Sequence, residues 1–219
     1  LLSALPEFKQ DHRLGFVQFA MEPTNTEKNC LTKALAIGAR ILRSQQAAKT
    51  KYGFTLFYGH NGIWRREALE KIGGWQESIS EDTDTAIEAR LAGYYGKYLP
   101  YVVSGEWSPE SFAEVQKRTR KFAFGTTQLF FKKVIRILAS KAPHWYEKID
   151  ILLHLLKYPL SATILLLVFL PFFIPPQTPL ILGIVMMYIA PLTPIWLLLV
   201  KDLIKSDYEK AVSEVKMAG

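Results

Sequence analysis

Glu81, Asp82 and Asp84 crowd the front of the stretch SEDTDTAIEARLAGYYGKYLP, residues 80–100. Carboxylates at the start of a helix are stabilised by the positive end of its macrodipole. A carboxylate within hydrogen-bond reach of a hydroxyl is also a general base. From these residues alone two readings stay open: the acids cap a helix, or one of them does proton chemistry and is kept ionised by the helix N-terminus. Asp84 and Glu88, further along the same stretch, fall to solvent or to structural pairing.

Such a base needs elements to position it, and helical and extended patterns alternate over the first part of the chain, as an α/β domain requires. Residues 15–19 read as a short strand. Asn25 or Thr26 caps a helix on which Leu31, Leu35, Ile37 and Leu42 recur at helical spacing. TKYGFTLFYGHNGIWRR is an extended aromatic segment running into a glycine-bounded turn, and residues 67–72 form a short helix closed by Gly73 and Gly74. The acidic helix runs from Ser80 through Leu91 and ends at Gly93, YYGKYLPYVV follows as a strand, and Pro109 opens the helix that carries SFAEVQKRTRKFAFG. Trp64 and Trp75 read as packing residues rather than sugar platforms.

Beyond these elements the composition changes. Residues 158–200 contain no Asp, Glu, Lys or Arg, and a transmembrane helix needs about 20 apolar residues. Two spans fit, separated by the prolines of PPQTP at residues 175–179. Lys132, Lys133, Arg136, Lys141, Lys148 and Lys157 precede them and Lys201, Lys205, Lys210 and Lys216 follow, so the positive-inside bias places both flanks in the cytoplasm. In LFFKKVIRILASK, Phe130, Phe131, Val134, Ile137 and Leu138 against the basic residues resemble an amphipathic helix in the headgroup plane. The net charge of +7 lies largely beside this region, where anionic headgroups attract it, and no zinc or RNA-binding motif points to nucleic acid. The single cysteine, Cys30, excludes an intramolecular disulfide.

Taken in order, FYGHNGIWRREALEKIGGW, SEDTDTAIEARLAGYYGKYLP, QKRTRKFAFG and the paired spans resemble the membrane-embedded family 2 glycosyltransferases, the cellulose-synthase-like group. The GHN form is similar to that of the bacterial glucan glucosyltransferases. The resemblance implies an α/β fold: a partial GT-A-like catalytic domain over residues 1–127, amphipathic interfacial helices over 128–157, two transmembrane helices over 158–200 and a cytoplasmic tail over 201–219. It implies a multi-pass protein of the cell (inner or plasma) membrane with its soluble part in the cytoplasm. It also implies inverting transfer of a hexose from a nucleotide-sugar donor, a UDP-sugar, to a glycan or lipid-linked acceptor.

Residue by residue, the family's acid pair falls on Glu81 and Asp82, with Asp82 as the base. Gly59, His60 and Asn61 fall where the family's chain passes the acceptor; glycine permits close approach, and His and Asn exchange hydrogen bonds with hydroxyls. The family's Gln-x-x-Arg-Trp is substituted throughout. Anchored on Gly125, it becomes Arg118, Lys121 and Phe122, whose spacing suits one helical face. Two cations there suit a diphosphate and Phe122 offers an apolar face to a pyranose, while the substitutions put processive synthesis in doubt. The family's Mg2+ or Mn2+ ligands belong upstream of residue 1, and the chain is expected to be an acceptor-side fragment that is inactive alone. The rival expectation is a non-catalytic transferase-like membrane subunit that acts as a scaffold or glycan-export partner.

Overall fold

The computed structural model describes residues 4–169. The chain divides into two compact units, Leu1–Pro159 and Leu160–Gly219. The first unit is built on a three-stranded mixed sheet in the order β2-β1-β3. Strand β1 (Leu14–Pro23) pairs antiparallel with β2 (Gly62–Trp64), Gln18 facing Gly62, and parallel with β3 (Tyr95–Glu106), Pro23 facing Glu106. The helices are α1 (Leu5–Gln10), α2 (Cys30–Tyr52), α3 (Arg66–Lys71), α4 (Glu81–Leu91), α5 (Phe112–Ala139) and α6 (Trp145–Phe169).

Side chains alternate across β1, and this sorts the core into two layers. Phe16 faces Phe54, Phe57, Ile87, Leu129, Ile137, Ile151 and Leu155, so β1, α4, α5 and α6 share one cluster. Val17 faces the other way and packs with Ala4 and Leu99, joined by Leu14 across an irregularity in register between Leu14 and Phe16. Ile87, Leu129, Ile137, Ile151 and Leu155 are fully buried, each contributing about 1.5–3 kcal/mol of apolar transfer. Trp64 stacks on Phe16 at 4.6 Å and Trp75 meets Trp64 edge-on at 5.5 Å, so both serve packing as expected.

Several expected boundaries move. The cap of α2 is Asn29, in a reciprocal box with Thr32, because Asn25 is occupied elsewhere: its side chain bonds both backbone groups of Ser108 across the domain. Ile37 and Leu42 are about half exposed, and the buried residues of α2 are Thr32 and Gln46. The extended segment at 54–57 joins no ladder. Its alternate backbone N–H groups are met by side chains instead: Phe54 donates to Asp150 (2.8 Å), Leu56 to Gln46 (3.1 Å) and Tyr58 to Gln18 (2.9 Å).

The helix expected after Pro109 and the amphipathic helix expected after Gly125 are one continuous element, α5, which starts at Phe112 behind the Ser111 cap. Its cations do not form one solvent-facing row. Lys133 is buried, in contact with Asp84 and Glu88, and Arg136 grips Glu88 at 2.8 and 3.0 Å. The expected apolar face divides as well: Ile137 is in the core, whereas Phe131 and Leu138, with Ile135, face outward. Burying the acids of α4 requires counter-cations, and α5 supplies them from positions that sequence spacing alone assigns to a membrane surface.

At the start of α6, Glu147 receives Arg90 in a buried bidentate pair at 2.8 and 2.6 Å, tying α6 to the end of α4. By length and composition, Trp145–Leu166 is apolar enough to cross a bilayer, with a mean hydropathy of 1.5. The PPQTP break, the second expected span and the tail lie outside the described residues.

Candidate functional site

Asp82 sits in the first turn of α4, half-buried, one residue beyond the exposed Glu81. Its Oδ1 accepts the N–H of Thr83 at 2.6 Å. The sequence suggests that the helix N-terminus keeps this carboxyl ionised, and in the structure burial works against that effect. Burial raises its pKa above the ordinary Asp value, and the neighbouring Glu81 charge adds to the rise, against the lowering by the Thr83 N–H. A raised pKa makes the ionised form a stronger base.

Gly59 lies against Asp82. A Cβ at Gly59 would stand 3.5 Å from Asp82 Cβ and 3.6 Å from Oδ2, and its φ of +81° is one that side-chain-bearing residues rarely adopt. Asn61 is also left-handed, with φ 52°. Buried Gln18 on β1 fixes this tight loop. Its Nε2 donates to the carbonyls of Phe19, His60 and Asn61 at 3.0–3.1 Å, while its Oε1 accepts the Tyr58 N–H. One buried amide thus satisfies the loop's inward polar groups, which would otherwise cost about 1–3 kcal/mol each.

His60 projects from the loop with its ring set by the Tyr58 carbonyl, 2.9 Å from Nδ1. That carbonyl only accepts, so Nδ1 carries the hydrogen and Nε2 faces outward. Nε2 is 3.9 Å from Oε1 of Glu106, at the carboxyl end of β3. The same oxygen accepts from Arg118 Nη2 at 3.2 Å, and the guanidinium lies 5.7 Å from the centre of the Phe122 ring. Asp82, Gly59, His60, Glu106, Arg118 and Phe122 therefore form one chain of contacts assembled from four separate elements.

Lys121 goes elsewhere. It lines a groove of about 600 Å³ on another flank of α5, with Ile79, Gln116, Lys117, Arg120 and Phe124. The three positions expected on one helical face thus separate, Arg118 and Phe122 turning to Glu106 and Lys121 to this groove. A successive rotation of about 100° per residue makes spacing of three and four neighbours on a helix but not identical directions. Gly125 brings α5 onto the loop before α4; a Cβ there would lie 3.1 Å from Ser80 Cβ and inside contact distance of Ser80 Oγ.

Sequence reasoning missed Gln18 and Glu106 and read Lys157 only as a cation flanking the expected spans. Gln18 is a polar residue inside the apolar run GFVQFA, and Glu106 is an acid at the carboxyl end of a strand, the end at which α/β sheets bind ligands. Lys157 of α6 lies within electrostatic range of Asp82 and Lys49, a tertiary proximity for which the sequence carries no sign. Among the described residues no group of three or more His, Cys, Asp or Glu side chains converges as a cation-ligand set. The described residues thus supply no ligand set of their own for the divalent metal that the resemblance implies.

The profile of the family described as glycosyl transferase family group 2 matches residues 1–199. The chain is 28% identical over 151 residues to probable glucomannan 4-beta-mannosyltransferase 3 of Oryza sativa subsp. japonica, covering 67% of this chain and 27% of that protein. Its match to probable glucomannan 4-beta-mannosyltransferase 11 of the same organism is 27% over 154 residues, or 69% and 27%. The chain thus spans about a quarter of the length of these curated relatives. The solved structure of the mannosyltransferase PcManGT from Pyrobaculum calidifontis in complex with GDP-Man and Mn2+ is similar with a TM-score of 0.45 and 20% identity, over 74% of this chain and 45% of that one.

Proposed function

Because the chain belongs to glycosyl transferase family group 2, we propose that it forms the acceptor-side part of a GT-A-like, inverting hexosyltransferase working at the cytoplasmic face of a membrane. The observation that carries this reading is Asp82, half-buried with a raised pKa and packed directly beneath Gly59 of the GHN loop. A base at that place takes the proton of an acceptor hydroxyl as its oxygen attacks the anomeric carbon and the nucleoside diphosphate departs. His60 and Asn61 bind acceptor hydroxyls, Phe122 offers a face to the pyranose ring, and Arg118 favours the charge that develops on the leaving diphosphate, while Lys121, turned to the separate groove, is left out of that role. The donor is a nucleotide-activated hexose, and the names of the rice relatives support mannose as that hexose. No step is derived through a metal ion.

Two features support placement at a membrane. Phe124, Phe131, Ile135 and Leu138 leave an outward apolar stripe along α5, and Trp145–Leu166 has the length and composition of a span, although Ile151 and Leu155 in its first half pack into the domain core. The reading is tested with Asp82→Asn in membranes carrying the full-length enzyme. Transfer from the nucleotide-sugar is lost while binding of the nucleoside diphosphate stays within about twofold, since only the proton acceptor is removed. Substantial residual turnover rejects Asp82 as the base.

A further inference from the structure

Glu106 is a carboxylate in a place where an anionic donor is expected, and transfer itself assigns it no task. Its backbone is fixed, the carbonyl accepting the Thr24 N–H at 2.9 Å at the end of the β1–β3 ladder. Its side chain is only 27% exposed, while Arg118 and His60, each 47% exposed, approach the same oxygen from α5 and from the GHN loop. We propose that Glu106 is the exchange point between donor and acceptor. It holds Arg118 in the empty site, releases it to the donor diphosphate, and then binds a vicinal diol of the acceptor sugar together with His60. This rests on the transferase reading above.

The exchange follows from charge. A half-exposed Arg–Glu pair is worth roughly 0–1 kcal/mol, whereas a diphosphate offers the guanidinium at least two charges and a bidentate oxygen pair. Arg118 therefore moves to the diphosphate at little cost. With the imidazole neutral and its hydrogen held on Nδ1 by the Tyr58 carbonyl, the departure of Arg118 leaves two acceptors facing each other, Glu106 Oε1 and His60 Nε2, 3.9 Å apart. Two adjacent acceptors call for two adjacent donors. A vicinal pair of sugar hydroxyls supplies them, and a carboxylate is the stronger type of partner for one of the two. The acceptor half of the pocket thus becomes competent only when the donor has drawn Arg118 away, so binding is ordered, donor first.

The test is Glu106→Gln, which keeps the side chain's shape and its contact with Arg118 but removes the charge. In membranes carrying the full-length enzyme, GDP and UDP are titrated to obtain a Kd, and a β-1,4-manno-oligosaccharide acceptor is varied to obtain a KM. Freed of its competitor, Arg118 binds the nucleoside diphosphate roughly two- to fivefold more tightly. The acceptor KM rises about tenfold or more with the loss of a charged hydrogen-bond partner. A role in folding alone weakens both, so opposite signs are the signature. If both constants worsen together, or neither moves while the unaltered full-length enzyme binds and transfers, the exchange is overturned and the transferase reading stands. If the unaltered full-length enzyme binds neither GDP nor UDP, both readings fall.

Discussion

Substituting Gly125 tests whether the site depends on the close approach of α5 to the loop preceding Asp82. The added Cβ of Gly125→Ala would stand 3.1 Å from Ser80 Cβ, 3.3 Å from Ile79 Cγ2 and well inside contact of Ser80 Oγ. Overpacking of this kind costs about 1–3 kcal/mol, and the better helix propensity of alanine returns about 1 kcal/mol. The net loss of stability is therefore about 0–2 kcal/mol. Activity suffers more. Ser80 immediately precedes the helix that carries Asp82, and a displacement of about 1 Å in a reacting group costs on the order of a hundredfold in rate. Ser80 Oγ is buried without a partner, so Ser80→Ala alone is neutral or stabilising and also removes the atom in the way. The double variant Gly125→Ala/Ser80→Ala recovers most of the transfer rate, with a coupling of about 1 kcal/mol or more in the cycle. Transfer rates and thermal denaturation of the four proteins measure this. Strict additivity, or a Gly125→Ala protein with unchanged turnover, refutes the packing reasoning.

The remaining expectations concern charge. Glu147→Gln strands the buried Arg90 guanidinium and destabilises by about 3–5 kcal/mol, whereas the apolar double replacement Arg90→Met/Glu147→Leu recovers much of that; denaturant titration reads both. Burial raises the Asp82 pKa, so transfer falls on the acid side in a limb displaced upward from that of an ordinary Asp, read from the pH profile of kcat/KM. The stability sign follows from linkage. The contribution of protonated Asp82 is present below its unfolded pKa and lost as pH rises through the raised folded value. Asp82→Asn is accordingly more stable than the unaltered protein at neutral pH and level with it at strongly acid pH, as denaturation across that window shows.

Candidates for the site could be named from the sequence because each is local. The acids of SEDTD, the GHN loop and the cation–aromatic block are each a few residues long, and their chemistry follows from residue type. The acidic helix and its end near Gly93 agree with α4 to within a residue or two. What failed did so for non-local reasons. Asn25 is a good cap that spends its side chain on Ser108, some eighty residues away. Lys133 reads as a headgroup cation until Asp84 and Glu88 are seen to need it. The alternate donors of Phe54, Leu56 and Tyr58 are met by Asp150, Gln46 and Gln18, none of which a strand pattern can name.

By itself, then, the order of residues determined which groups have the chemistry: a carboxylate at a helix start, a glycine loop bearing His and Asn, and cations beside an aromatic ring. Only the tertiary structure decided which of them meet and in what state. Periodicity fixes direction within an element, but contact between elements depends on how cores pack, and electrostatic environment depends on what that packing excludes. Burial raised the pKa of Asp82 against the effect of the helix start, and the turn of α5 sent Arg118 to Glu106 and Lys121 to a separate groove.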